Sequence, residues 1–263
     1  MLQAGMGIGA LTLIAGSAFG QNLLVTFENV GPADGVAFTP LWVGFHDGSF
    51  DSYDGGAPAS AGIEQIAELG QTGLISSEFN TATGGNGFDT TLASSDGPPP
   101  FLGGQSQTFE LNVTDTTNNR YFSYASMVIP SNDLFIANGN PFAHLIFNVD
   151  GSFAGPVTID IFGREVNDAG TEANSVLNGG AFVDGVDATL GGPGEGLIAN
   201  IGELATDPLD DILGTLTPPG FTVNQGFGAD TLIARITIEQ VPTPGAGVLA
   251  AIGGLAAMRR RRH

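Results

Sequence analysis

Thr108-Phe109-Glu110-Leu111-Asn112-Val113-Thr114 sets apolar side chains at 109, 111 and 113 against polar ones at 108, 110, 112 and 114. Successive side chains of a strand point to opposite faces, so a period of two marks a β-strand with one face buried and one in water. The same alternation recurs in Val157-Thr158-Ile159-Asp160-Ile161-Phe162. Over 232–239, Leu232, Ala234, Ile236 and Ile238 take turns with Ile233, Arg235, Thr237 and Glu239. Further strands are predicted at 23–28, 41–45, Tyr121–Ile129, Leu134–Ala137 and 144–149. About eight short strands with Gly-rich connections predict an all-β fold, an antiparallel β-sandwich.

One or two short helices interrupt the strands. Ser60 to Gly70 reads as a helix, with Ser60 as N-cap, Gly70 in the left-handed position after the last turn, and Ile63, Ile66 and Ala67 as the buried stripe. Leu74, Ile75 and Phe79 extend the helical pattern by a turn or two. Residues 81–107 and 173–224 are rich in Gly, Pro, Ser and Asp and read as long loops. The chain has 41 Gly and 15 Pro without a fixed period and no Cys, so it has neither a collagen repeat nor a disulfide or thiolate metal site.

The two ends differ from the middle. Residues 1–20 are small and apolar and end in Ala18-Phe19-Gly20, the pattern of a secretory signal peptide. Residues 241–263 run from Val241-Pro242-Thr243-Pro244 through an apolar stretch at 245–258 to Arg259-Arg260-Arg261-Arg262-His263. That order resembles the PEP-CTERM sorting tail, with Thr243 where that family has Glu. The resemblance implies a transient membrane helix, held by its arginines on the cytoplasmic side, and an exosortase-type processing enzyme. All 27 acidic residues lie in 21–240, against Arg120, Arg164 and Arg235 alone, so this domain carries a net charge of −24. Such a body repels nucleic acid and anionic lipid and attracts divalent cations.

Three segments carry a second resemblance. Phe122-Ser123-Tyr124-Ala125-Ser126-Met127-Val128-Ile129-Pro130-Ser131-Asn132-Asp133-Leu134-Phe135 resembles the S-M-I-x-P-S-x-D-x-F segment of the spondin N-terminal domain family. Asp168-Ala169-Gly170-Thr171-Glu172 is similar to that family's D-A-G-T-D, and the stretch from Gly56 to Leu69 to its G-x-P-A-S-x-G-L helix. The segments stand in the family's order, and the likeness extends over 23–241. It implies an antiparallel sandwich that binds Ca2+, with the metal carboxylates on Asp133, Asp168 and Glu172. A further acidic ligand of some members falls near Glu110 or Asn112. Calcium takes six to eight hard oxygen ligands from carboxylates, carbonyls and water, which such loops can supply.

Other chemistries find less support. The acidic loop from His46 to Gly55 lacks the EF-hand spacing, and His46 reads as a satisfied structural histidine. With only His46 and His144 in the body, no three-histidine zinc site can form there, and no G-x-S-x-G is present. His144 is expected in a strand, pointing outward or hydrogen-bonded locally. The expected function is therefore a secreted, surface-sorted calcium-binding domain with an adhesion or matrix role, not an enzyme. Its partner would be an exopolysaccharide or surface protein. The alternative is a carbohydrate-binding module or carbohydrate-active enzyme acting on surface polymer.

Overall fold

The computed structural model describes residues 20–95, 100–194, 196–204 and 208–241. The elements in chain order are β1 (Gln21–Asn29), β2 (Ala37–Phe38), β3 (Leu41–His46), α1 (Ala61–Leu69), α2 (Gly73–Ala82), β4 (Phe88–Leu92) and β5 (Ser106–Val113). Then follow β6 (Tyr121–Ile129), β7 (Leu134–Ala137), β8 (Val157–Phe162), β9 (Val166–Asp168), β10 (Ala199–Asn200), α3 (Pro208–Ile212) and β11 (Leu232–Gln240). They form two antiparallel sheets, a four-stranded one in the order β5-β1-β11-β8 and a larger one in the order β10-β9-β7-β6-β3-β4, with β2 also paired to β6. The predicted all-β sandwich is the fold observed.

The two sheets differ in what covers them. The four-stranded sheet buries one face only, so Leu23, Val25 and Phe27 of β1 and Ile236 and Ile238 of β11 join the core between the sheets. Their alternate neighbours Thr26 and Thr237 stay partly accessible. The larger sheet is buried on both faces. Phe45, Phe122 and Tyr124 face the inter-sheet core, while Trp42, Ala125 and Phe135 meet Ile63, Ile66, Ile75 and Phe79 of the helices. All six residues of β3 are accordingly buried. Each large apolar side chain so enclosed contributes about 1.5–3 kcal/mol. Gly44 permits the approach of α2, because a Cβ there would lie 2.7 Å from both the Phe79 and Trp42 rings.

The helix prediction holds in detail. Ser60 Oγ accepts from Ile63 N, and Gly70 closes α1 at φ 63°. Three readings, two of strands and one of a loop, need correction. Residues 144–149 make isolated bridges only, Tyr121 with Leu145 and Phe147 with Phe153, because the chain crosses the sheet end and turns at Asn148–Gly151. Residues 81–107 contain β4, which pairs with β3 from Leu41↔Leu92 to Phe45↔Phe88. A register shift between Leu232 and Ala234 lets Ile233 be buried beside Ala234 instead of pointing outward. The region 173–224 holds the short elements β10 and α3 within its loops.

Candidate metal centre

Two connections meet at one end of the strands of the larger sheet. The first, between β6 and β7, contains the cis peptide Ile129–Pro130 and the turn Ser131-Asn132-Asp133. Ser131 Oγ accepts from Leu134 N at 3.2 Å, and Asn132 Nδ2 donates to Ala173 O at 2.9 Å, which ties the turn to the loop beyond β9. The second is that loop. Asp168 Oδ1 accepts from Gly170 N at 2.6 Å, and Gly170 has φ 66°. A Cβ at Gly170 would also fall 2.3 Å from Leu197 O, so only glycine fits there. The turn aims the backbone N–H groups of Thr171 and Glu172 at Asp133 Oδ2, at 2.9 and 3.0 Å, and Thr171 Oγ1 adds a third donor at 3.3 Å.

Asp133, Asp168 and Glu172 are 0, 1 and 5% exposed. Leu134 pairs with Asp168 across β7 and β9, and Ala169 N donates to Asp133 O at 3.0 Å, so the two aspartates are neighbours. Burial, and then the negative charge of Asp168, hold the Asp133 carboxyl well above the ordinary carboxylate range, although its three donors pull the other way. Burial, followed by Glu68 and Asp133, pushes Glu172 up to about 7. Neither Asp133 nor Glu172 is among the arginine ion pairs of the described residues, which join Arg164 to Asp230 and Arg235 to Asp160. Asp133 Oδ1 and Glu172 Oε2 are buried and accept no hydrogen bond from the described residues.

A buried anionic oxygen without a donor is unfavourable unless a cation faces it. This donor set, hard oxygens without nitrogen or sulfur, suits calcium in kind. The three carboxylates do not converge on one point. Among the described residues, no group of three or more His, Cys, Asp or Glu side chains gathers at metal-holding spacing. Asp133 and Asp168 form the pair. The Glu172 carboxylate turns into a cavity of about 370 Å³ that it shares with Glu64 and Glu68. It lies so near Gly191 that a Cβ there would stand 1.2 Å from Oε1. The remaining oxygens of a calcium shell would come from backbone carbonyls and water.

Glu110 and Asn112 are not brought to this place. Both are exposed on β5, in the other sheet, and Asn112 Nδ2 donates to Asn22 Oδ1. His46 is fully buried, its Nε2 2.9 Å from Ser123 Oγ and its Nδ1 accepting from Gly48 N at 3.0 Å, a satisfied structural histidine. His144 lies outside any strand and is half-buried beside Tyr124, with ring centroids 6.1 Å apart. Sequence reasoning missed the role of Thr171, whose N–H and hydroxyl both serve Asp133; the signal was Gly170, which marks a turn that presents the following amides.

No curated protein matches the chain. The Spondin_N family model matches residues 25–176, more than half of the sequence, and runs from within β1 past β9, with both connections of the candidate centre. It stops short of the 23–241 span expected from the sequence, so β10, α3 and β11 lie beyond it. The chain belongs to the Spondin_N family.

Proposed function

We propose that this spondin-type domain is exported, binds calcium at Asp133 and Asp168 with Glu172 at the margin, and serves adhesion or matrix organisation without catalysis. The observation that carries the metal reading is the buried Asp133–Asp168 pair, with Oδ1 of Asp133 lacking a donor among the described residues. A divalent cation would neutralise the pair and lock the connection after β6 to the loop after β9. The partner would be an exopolysaccharide or surface protein.

Calcium that binds the folded state alone stabilises it by RT ln(1 + [L]/Kd), about 2.7 kcal/mol at a hundredfold excess over Kd. Thermal melts in excess calcium should therefore shift upward and fall back with chelator. Sodium chloride at matched ionic strength is the control, since the 24 excess negative charges respond to any salt by screening. If sodium reproduces the whole shift, there is no specific site.

Sorting rests on the two ends, 1–20 and 241–263, which apart from Gly20 and Val241 lie outside the described residues. Among the described residues no helix is long and apolar enough to cross a membrane. We expect protein from the native culture to begin near Gln21 and to end near Pro242–Pro244 by mass spectrometry. Intact 259–262 on a cytosolic protein would sink the sorting reading.

A further inference from the structure

A groove of about 480 Å³ lies where the chain leaves β7, against β8, the edge strand of the smaller sheet. Its lining combines the rings of Tyr53, Tyr124 and His144 with the amides of Asn140 and Asn167. Three charged side chains also border it, and each is already engaged. Asp160 pairs with Arg235 at 2.6 Å, Arg164 with Asp230 at 2.7 Å, and Glu165 Oε2 accepts from Phe162 N at 2.7 Å.

Tyr124 is the informative residue. The residue is 3% exposed and lines the groove, and its hydroxyl, which bonds to no described residue, is not one of the enclosed unpartnered atoms and so opens to the groove. A phenol so placed has its proton and its lone pairs free for a ligand in the groove. Asn167 is 6% exposed; its Nδ2 donates to Tyr53 Oη at 3.0 Å and to Glu165 O, which leaves Oδ1 available to a ligand. The phenol of Tyr53, accepting from Asn167, keeps its own proton to donate. Neutral donors and acceptors thus line the groove beside aromatic side chains, in a body whose net charge of −24 repels anions.

We propose that this groove binds a neutral, hydroxyl-rich ligand, a short stretch of uncharged polysaccharide, with the Tyr124 hydroxyl and Asn167 as its hydrogen-bonding contacts. The volume lies within the range of small-ligand sites, about 300–1,000 Å³, and accommodates a few sugar units. Aromatic rings pack on the apolar faces of pyranose rings, while amides and phenols meet their hydroxyls. The proposal deepens the adhesion reading by naming a partner class, and it needs no calcium.

The test is titration calorimetry of the 21–241 domain with cellotriose, maltotriose and triacetylchitotriose, and with trigalacturonate as the anionic control. At least one neutral trisaccharide should bind and trigalacturonate should not. Tyr124→Phe and Asn167→Ala should each weaken binding about fivefold to tenfold, the equivalent of one lost hydrogen bond. Tyr124→Phe should melt no lower than wild type, because its hydroxyl has no partner in the protein to lose. Absence of binding by all three neutral probes overturns the proposal, as does affinity unchanged in Tyr124→Phe. Calcium melts decide the metal reading separately, so either can fail alone.

Discussion

Asp133→Asn should bind calcium at least about tenfold more weakly than wild type while its metal-free form becomes more stable. The two effects share one cause. Asp133 sits against Asp168 with a carboxyl held above its ordinary range by burial and by that neighbouring charge. Removing the Asp133 charge relieves a buried like-charge contact, an effect of about 1–3 kcal/mol. The asparagine oxygen can still accept from the N–H groups of Thr171 and Glu172, so the loops keep their tie. Calcium, in contrast, loses an anionic ligand. Changes to groups merely supporting a ligand already cost about 10- to 100-fold in affinity, and loss of the ligand charge should cost no less. Calorimetric titration gives the affinity, and urea unfolding in chelator gives the metal-free stability. Asp51→Asn, on the exposed acidic loop, is the control and should leave calcium affinity unchanged. Equal calcium affinity in Asp133→Asn and wild type would remove the metal from this place, and a larger loss in Asp51→Asn would move it to the acidic loop.

Protonation of His46 should cost the domain stability in acid. The imidazole is fully buried and its pKa is lowered from 6.5 to about 4, chiefly by burial, against a small opposing pull from Asp47. Nδ1 accepts from Gly48 N, so Nε2–H donates to Ser123 Oγ, and a second proton would have to sit on Nδ1 facing another N–H. Between pH 6.5 and about 4 the unfolded chain binds a proton that the folded one refuses. Stability is therefore intact above pH 6.5 and drains away as pH falls toward 4, by roughly 3 kcal/mol in total. His144, lowered to about 4 by burial, adds in the same direction. Asp133 and Glu172 act oppositely in the metal-free protein. Their raised values favour the folded state at low pH, and that contribution is lost as pH rises through about 7. Urea unfolding across this range should give a flatter acid limb for His46→Asn than for wild type, at the expense of about 1–3 kcal/mol at pH 7. Identical acid limbs would show that His46 is not the source.

Much of this protein was legible along the chain because its signals are local. Alternation of apolar and polar residues identifies β1, β5, β8 and β11, since each exposes one face to water. Ser60 and Gly70 mark the ends of α1 because capping needs only a hydroxyl three residues before an amide and a residue that tolerates positive φ. The family is legible in three short segments, and the acidic excess in simple counting.

The rest depended on what faces what. Phe88-Asp89-Thr90-Thr91-Leu92 has no strong pattern of its own and becomes β4 because β3 offers an edge to pair with. Residues 144–149 have a strand's composition, but the sheet continues through β7 instead and leaves them isolated bridges. At the candidate centre, sequence named Asp133, Asp168 and Glu172 through resemblance, with no means of ranking them among 27 acids. Tertiary structure alone set Asp133 against Asp168, turned two amides and a hydroxyl onto one oxygen, and sent the Glu172 carboxylate toward Glu68. The physical reason is that the penalty on a buried charge is set by its surroundings across distant parts of the chain, and those surroundings exist only once β7 and β9 are paired.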